Sequence, residues 1–136
     1  MKTPTLLQSV AAVLAPFAPL FLRLGIAYVF VRHGLMKVHM GLPQVAGFFG
    51  RLGIPIPTVA AAVVIGVETL GAACLALGLL TRFWAFCMVV EMIVAIWLAV
   101  LPRAPELELL LLVGSLALFS LGAGPISIDR LLQKRG

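Results

Sequence analysis

Residues 58–101 read TVAAAVVIGVETLGAACLALGLLTRFWAFCMVVEMIVAIWLAVL, two apolar runs joined at Leu80-Thr81-Arg82-Phe83. At a rise of about 1.5 Å per residue, each run is long enough to cross a hydrocarbon layer about 30 Å thick. Each also carries one acidic residue in its interior, Glu68 and Glu91. Counted from the turn, both carboxyls fall roughly 15–20 Å from the same face, near the middle of such a layer. An ionisable group at that depth is costly unless it is paired, neutralised or hydrated. The hairpin therefore asks what Glu68 and Glu91 are paired with.

The whole chain has the same character. Of 136 residues, 62% are hydrophobic and 11% charged, too apolar to face water over the surface of a domain this small. We read an integral membrane protein, a single domain over 1–136 in contact with the lipid bilayer. The net charge of +5 comes from cations spread singly, mostly at the ends of apolar runs. That pattern belongs to membrane interfaces and excludes the basic cluster a nucleic-acid partner would need. Cys74 and Cys87 lie inside the two runs without metal-ligand spacing, so both are read as buried free thiols.

Working outward from the hairpin, the spans are placed at about 58–80 and 83–101, with Trp84 and Trp97 towards opposite interfaces. Upstream, Pro43 opens a helix of about 43–52 with Val45, Phe48, Phe49 and Leu52 at helical spacing, ended by Gly53, Pro55 and Pro57. It is too short to span, and is expected to lie in the membrane interface as a lid over the bundle. Before it comes the first span, about 17–36, on which Phe30, Gly34 and Lys37 fall within about 40° of Arg23. Thr3-Pro4 reads as a helix start, and 4–14 as either a short interfacial helix or an extension of this span. The N-terminus is read as an uncleaved start rather than a signal peptide, because Pro16, Pro19 and Arg23 interrupt its apolar stretch. Downstream, Pro102, Arg103 and Pro105 end the third span and a short fourth occupies about 106–121. A further short helix begins near Ser127, capped by Ser127 or Asp129.

The expected fold is thus all-α, a four-transmembrane-helix bundle with a short interfacial helix between helices 1 and 2. Lys2, Arg82, Arg130, Lys134 and Arg135 fall on the face of the termini, against Lys37, Arg51 and Arg103 on the other, with Arg32 at its border. This bias places both termini on the cytoplasmic side of the membrane.

Several blocks carry a resemblance: Arg23-Leu-Gly, His33-Gly-Leu-Met-Lys37, Leu52-Gly-Ile-Pro55-Ile-Pro57 and Val67-Glu68-Thr-Leu-Gly71. Leu77-Gly-Leu-Leu-Thr81-Arg82, Met92-Ile-Val-Ala95-Ile and Leu121-Gly-Ala-Gly-Pro-Ile-Ser127-Ile-Asp129 follow in the same order. Together they resemble the DoxX family of small four-helix membrane proteins over nearly the whole chain. The resemblance implies an inner-membrane protein with a redox or quinone connection, within a larger membrane complex or a homo-oligomer, and no specific reaction. One block departs: many similar proteins carry a longer loop, with a His near its start, where this chain has Trp97-Leu98-Ala-Val-Leu-Pro.

Two constellations are candidates for chemistry. Arg23, Glu68 and Glu91 form an intramembrane charge network, with Arg23 as the expected counter-charge of Glu68. It is read either as an ion pair that fixes helix packing, or as a proton path with coupled carboxyls or the polar floor of a pocket. His33, Lys37 and Glu108 gather at the outer ends of the first and fourth spans, with Phe48 and Phe49 of the surface helix able to cover a ring. They are read as a quinone or ligand site, against simple snorkelling by Lys37 and helix capping by Glu108. His33 and His39 lie six residues apart on one segment, which argues against a bis-His haem, and no metal-ligand set is apparent. No catalytic residue is assigned. The first expectation is a membrane subunit of a redox-associated complex, anchoring a partner and contacting quinone or lipid. A non-catalytic assembly subunit and a small proton-coupled transporter are the alternatives.

Overall fold

The structure is a computed structural model that describes residues 5–100 and 104–134. The expected start at Thr3-Pro4, the interfacial cations Lys2 and Arg135, and the Leu101-Pro102-Arg103 end of the third span lie outside the described residues. Eight α-helices and no strand occur among the described residues.

Helix α1 (Leu6–Leu14) opens on a capping box, Thr5 Oγ1 accepting from Gln8 N–H while Gln8 Oε1 accepts from Thr5 N–H at 2.8 Å. A 3-10 turn, Ala15–Phe17, joins it to α2 (Ala18–Met40), with Pro16 and Pro19 tolerated in first-turn positions. Helix α3 (Leu42–Arg51) follows, then α4 (Pro57–Gly66), a π-helical turn Val67–Gly71 and α5 (Ala72–Leu77). Helix α6 (Thr81–Ala95) runs into a second π-helical segment, Ile96–Val100. Helix α7 (Glu106–Leu121) and α8 (Ile128–Gln133) complete the chain, with Ser127 accepting the Arg130 N–H as N-cap.

Among the described residues, three helical runs are long and apolar enough to cross a membrane: Leu6–Met40, Pro57–Leu77 and Thr81–Leu98. Helix α7 is shorter, at 16 residues, and packs along α6 and α2. The core between these elements joins Ile26, Ala27 and Phe30 of α2 to Leu75, Ala85, Met88, Met92, Leu111 and Leu118. The outward faces are apolar too, with Tyr28, Leu70, Phe86, Leu110 and Val113 all exposed. Apolar groups both inside and outside fit a protein covered by lipid.

The hairpin turn falls at Gly78-Leu79-Leu80, earlier than the Leu80–Phe83 expected, because backbone geometry ends α5 there. Gly78 is left-handed (φ +69°), and the Leu79 N–H bonds back to the Cys74 carbonyl at 2.9 Å. Thr81 is already helical, and the carboxylate of Asp129 caps its helix, accepting from Leu80 N–H at 2.7 Å and Thr81 N–H at 2.9 Å.

The same end of the molecule corrects the expected Arg23–Glu68 pair. The buried Arg23 guanidinium donates to the carbonyl oxygens of Ala123 and Ile126, not to Glu68. A Cβ on Gly78 would stand 2.7 Å from Arg23 Nη1, so Arg23 is level with this turn. Gly34, eleven residues further along α2, is the residue level with Glu68, at a rise of about 16 Å. Arg23 therefore holds the segment Gly122–Ser127 onto the bundle, and Asp129 then reaches α6.

Replacing Asp129 with Ala removes two cap bonds and should cost about 1–2 kcal/mol. A lowered thermal midpoint in detergent, with helix content retained below it, is the expected result.

Candidate functional site

Glu68 sits in the π-helical turn of the second long run, where the wider turn is stabilised locally by Thr69 Oγ1 donating to the Ile65 carbonyl at 2.6 Å. Such turns re-aim a side chain within an otherwise regular helix and recur at functional sites. Here the turn meets α2 at Gly34, where a Cβ would lie 2.7 Å from Thr69 Cγ2 and 2.8 Å from the Glu68 carbonyl carbon. Only a glycine lets the two backbones approach this closely.

One turn beyond Gly34, Lys37 extends its ammonium to Glu68, with Nζ 2.6 Å from both Oε1 and Oε2. Glu68 is 3% exposed. Away from water this carboxylate needs a matched charge, and Lys37 supplies it. Glu91, from α6, lies beside Glu68, and its Oε2 is buried without a hydrogen-bond partner among the described residues. The partner that Glu91 lacked in the sequence reading is thus the other acid, with Lys37 close by.

These groups line a cavity of about 380 Å³. Its polar residues are His33 and Lys37 of α2, Glu68, Glu91, and Glu108 of α7. Its apolar walls include Phe30 of α2, Phe48 and Phe49 of α3, Met92 of α6 and Leu111 of α7. His33 and Phe48 are exposed, whereas Glu68 is buried, so the cavity has a polar floor and an accessible rim. Helix α3 is held over it by a small separate cluster, Val45 and Ala46 against Ala61, with Phe49 and Ile65 packed alongside. Arg51 lies over the Phe48 ring at 5.9 Å from the ring centroid.

The structure thus brings His33, Lys37, Glu108, Phe48 and Phe49 around the same space as Glu68 and Glu91, and leaves Arg23 outside it. Apart from Arg23, the two groups read separately in the sequence line one cavity. What sequence reasoning missed was the register that joins them. Gly34 carried the signal, as the small residue on the face shared by Arg23 and Lys37. Ile54, Val64, Val94 and Leu107 also line the cavity without having been singled out. Cys74 and Cys87 are both free thiols, half-buried rather than buried as expected.

Long apolar helices around an apolar cavity with an ion-paired floor define an integral membrane protein with an internal pocket. The sequence profile of the DoxX family matches residues 18–101, and the chain belongs to that family. The matched span takes in the α2 face, the π-turn and α6, and so Lys37, Glu68 and Glu91. An uncharacterized protein of Haemophilus influenzae is 33% identical over 130 residues, covering 88% of this chain and 94% of the relative. No solved structure matches the chain.

Lys37→Met should be strongly destabilising, by about 3 kcal/mol, because it leaves the Glu68 carboxylate buried and unpaired. Lys37→Met combined with Glu68→Gln should recover most of that loss. A double-mutant cycle in detergent, read as thermal midpoints, checks the coupling, and additive losses would count against it.

Proposed function

We propose that the protein is a four-span inner-membrane subunit of a redox-associated complex, which anchors a partner and takes a quinone head group into the cavity under α3. The observation that carries this reading is the convergence of His33, Lys37, Glu68, Glu91 and Glu108 on one apolar-walled cavity. In this reading α1–α2, α4–α5, α6 and α7 cross the bilayer. Helix α7 would extend about 24 Å, and thinning of the bilayer or a position inside the bundle offsets its shortness. Helix α3 lies at the interface, its Val45 and Ala46 face turned to α4. The cation bias sets both termini on the cytoplasmic side.

The chemistry of the cavity supports an amphipathic ligand. A quinone presents a flat ring, an apolar tail and two oxygens. Phe30, Phe49 and Leu111 offer apolar contact for ring and tail, and His33 at the rim offers a donor within reach of an entering head group. The redox centre that exchanges electrons with the ligand belongs to the partner, and this chain contributes binding and anchorage.

A second reading is favoured by the two-oxygen contact of Lys37 with Glu68. Such a pair in an apolar interior also fixes helix register, as in a purely stabilising subunit.

Purification in a mild detergent followed by solvent extraction separates the two. Near-stoichiometric quinone is expected with the wild type. His33→Ala and Glu68→Gln should lower it tenfold or more while circular dichroism shows the helices intact. Full assembly and undiminished activity of the host complex in both variants would establish the stabilising role instead.

A further inference from the structure

A second hollow, of about 640 Å³, lies at the other end of the bundle, between the α5–α6 turn and the C-terminal segment. The turn Gly78–Leu80 ends one membrane-long run and opens the next, so this hollow sits at a membrane interface, independent of the cavity under α3. Two cations line it, Arg82 from the first turn of α6 and Arg130 from α8, and both residues are exposed. Arg82 Nη2 donates to the Ser120 carbonyl at 3.3 Å, which sets the guanidinium beside Gly122. A Cβ on Gly122 would stand 3.5 Å from Arg82 Nε, so the guanidinium lies close along this backbone.

Charge in the hollow is unbalanced. Asp129 is the one carboxylate among the described lining residues, and its two oxygens already accept the Leu80 and Thr81 N–H groups. Its charge also lies within reach of the buried Arg23. Neither Arg82 nor Arg130 forms an ion pair among the described residues. Two planar donor forks thus border the hollow without an anion, and such forks match phosphate oxygens two at a time. The rest of the lining is largely apolar: Leu80, Phe83, Leu121 and Leu132 are each more than half exposed. This apolar surface continues into the membrane, where the exposed rings of Phe86 on α6 and Phe119 on α7 stand 6.0 Å apart. A free phosphate would satisfy the arginines and leave the apolar surface bare, whereas a phospholipid covers both. A zwitterionic head would bring its own cation among the guanidinium groups with no free carboxylate to receive it, so the fit is to a head of net negative charge.

We propose that this hollow binds an anionic phospholipid, its phosphate held by Arg82 and Arg130 and an acyl chain laid along Phe83, Phe86 and Phe119. The lipid would bridge α6 to the C-terminal segment.

The test uses the full chain in detergent, stripped of lipid, and two probes with the same dioleoyl chains, phosphatidylglycerol and phosphatidylcholine, titrated by native mass spectrometry. The wild type should bind phosphatidylglycerol at least tenfold tighter. Arg82→Gln combined with Arg130→Gln should narrow the ratio to threefold or less. Arg32→Gln, which removes an exposed cation nine residues past Arg23 along α2, should leave the ratio unchanged. Equal binding of the two lipids by the wild type overturns the proposal, as does a tenfold preference kept by the double variant. The same loss in Arg32→Gln assigns the preference to overall charge and overturns it as well. Displacement of the lipid by equimolar inorganic phosphate makes the site one for the free ion and overturns lipid recognition. Where the double variant does not fold, Arg130→Gln alone decides: at least a threefold fall in the ratio supports the site, and an unchanged ratio overturns it.

Discussion

A charge inside an apolar interior must be matched, and the Lys37–Glu68 bond meets that requirement where the first long helix crosses the second. Glu68 is nearly sealed from solvent, so its carboxylate fixes where α2 must place an ammonium. Gly34 makes the crossing close enough for Lys37 to reach, one turn further on. The π-helical turn supplies the other half of the geometry, since Glu68 lies within it. Pair, close approach and widened turn are therefore one device. The cavity floor adjoins it, with Glu91 of α6 beside the same carboxylate.

The opposite end of α2 is organised by a different cation. Arg23 donates to two carbonyl oxygens of the chain after α7, and Asp129 beyond it caps α6. Backbone carbonyls and free helix N–H groups are satisfied here by side chains. The C-terminal segment is thus part of the fold, tying α2, the Gly78 turn and α6 together. Between the two polar ends lies the packed layer of Ile26, Ala27 and Phe30 against Leu75, Met88 and Leu118. One end of α2 fastens the bundle and the other lines the cavity.

The match to the DoxX family covers α2 to α6, and leaves α7 and the segment Gly122–Asp129 outside it. Arg23, Gly34 and Lys37 all fall within the matched residues, as do Glu68, Gly78 and Glu91. The cavity differs from a plain helix crossing because α3 packs on α4 through Val45, Ala46 and Ala61. Its phenyl groups, Phe48 and Phe49, are left as one wall.

Much of this was legible in the chain itself. Length and hydropathy determined an all-α membrane protein, because only helices satisfy their own backbone within an apolar stretch. The prolines and glycines near residues 43, 53 and 57 marked a short helix between two long ones. Acidic residues at mid-span marked Glu68 and Glu91 as groups needing partners. A helical wheel assigns azimuth, however, and two antiparallel helices also need a register. Arg23 and Lys37 share a face, so the wheel could not choose between them as the partner of Glu68. Only the tertiary structure decided it, because Gly34 and Gly78 set which residues stand level and the intervening rise of α2 keeps Arg23 out of reach. The same register, with the π-turn that no periodicity announces, brought two separate groups of residues into one cavity.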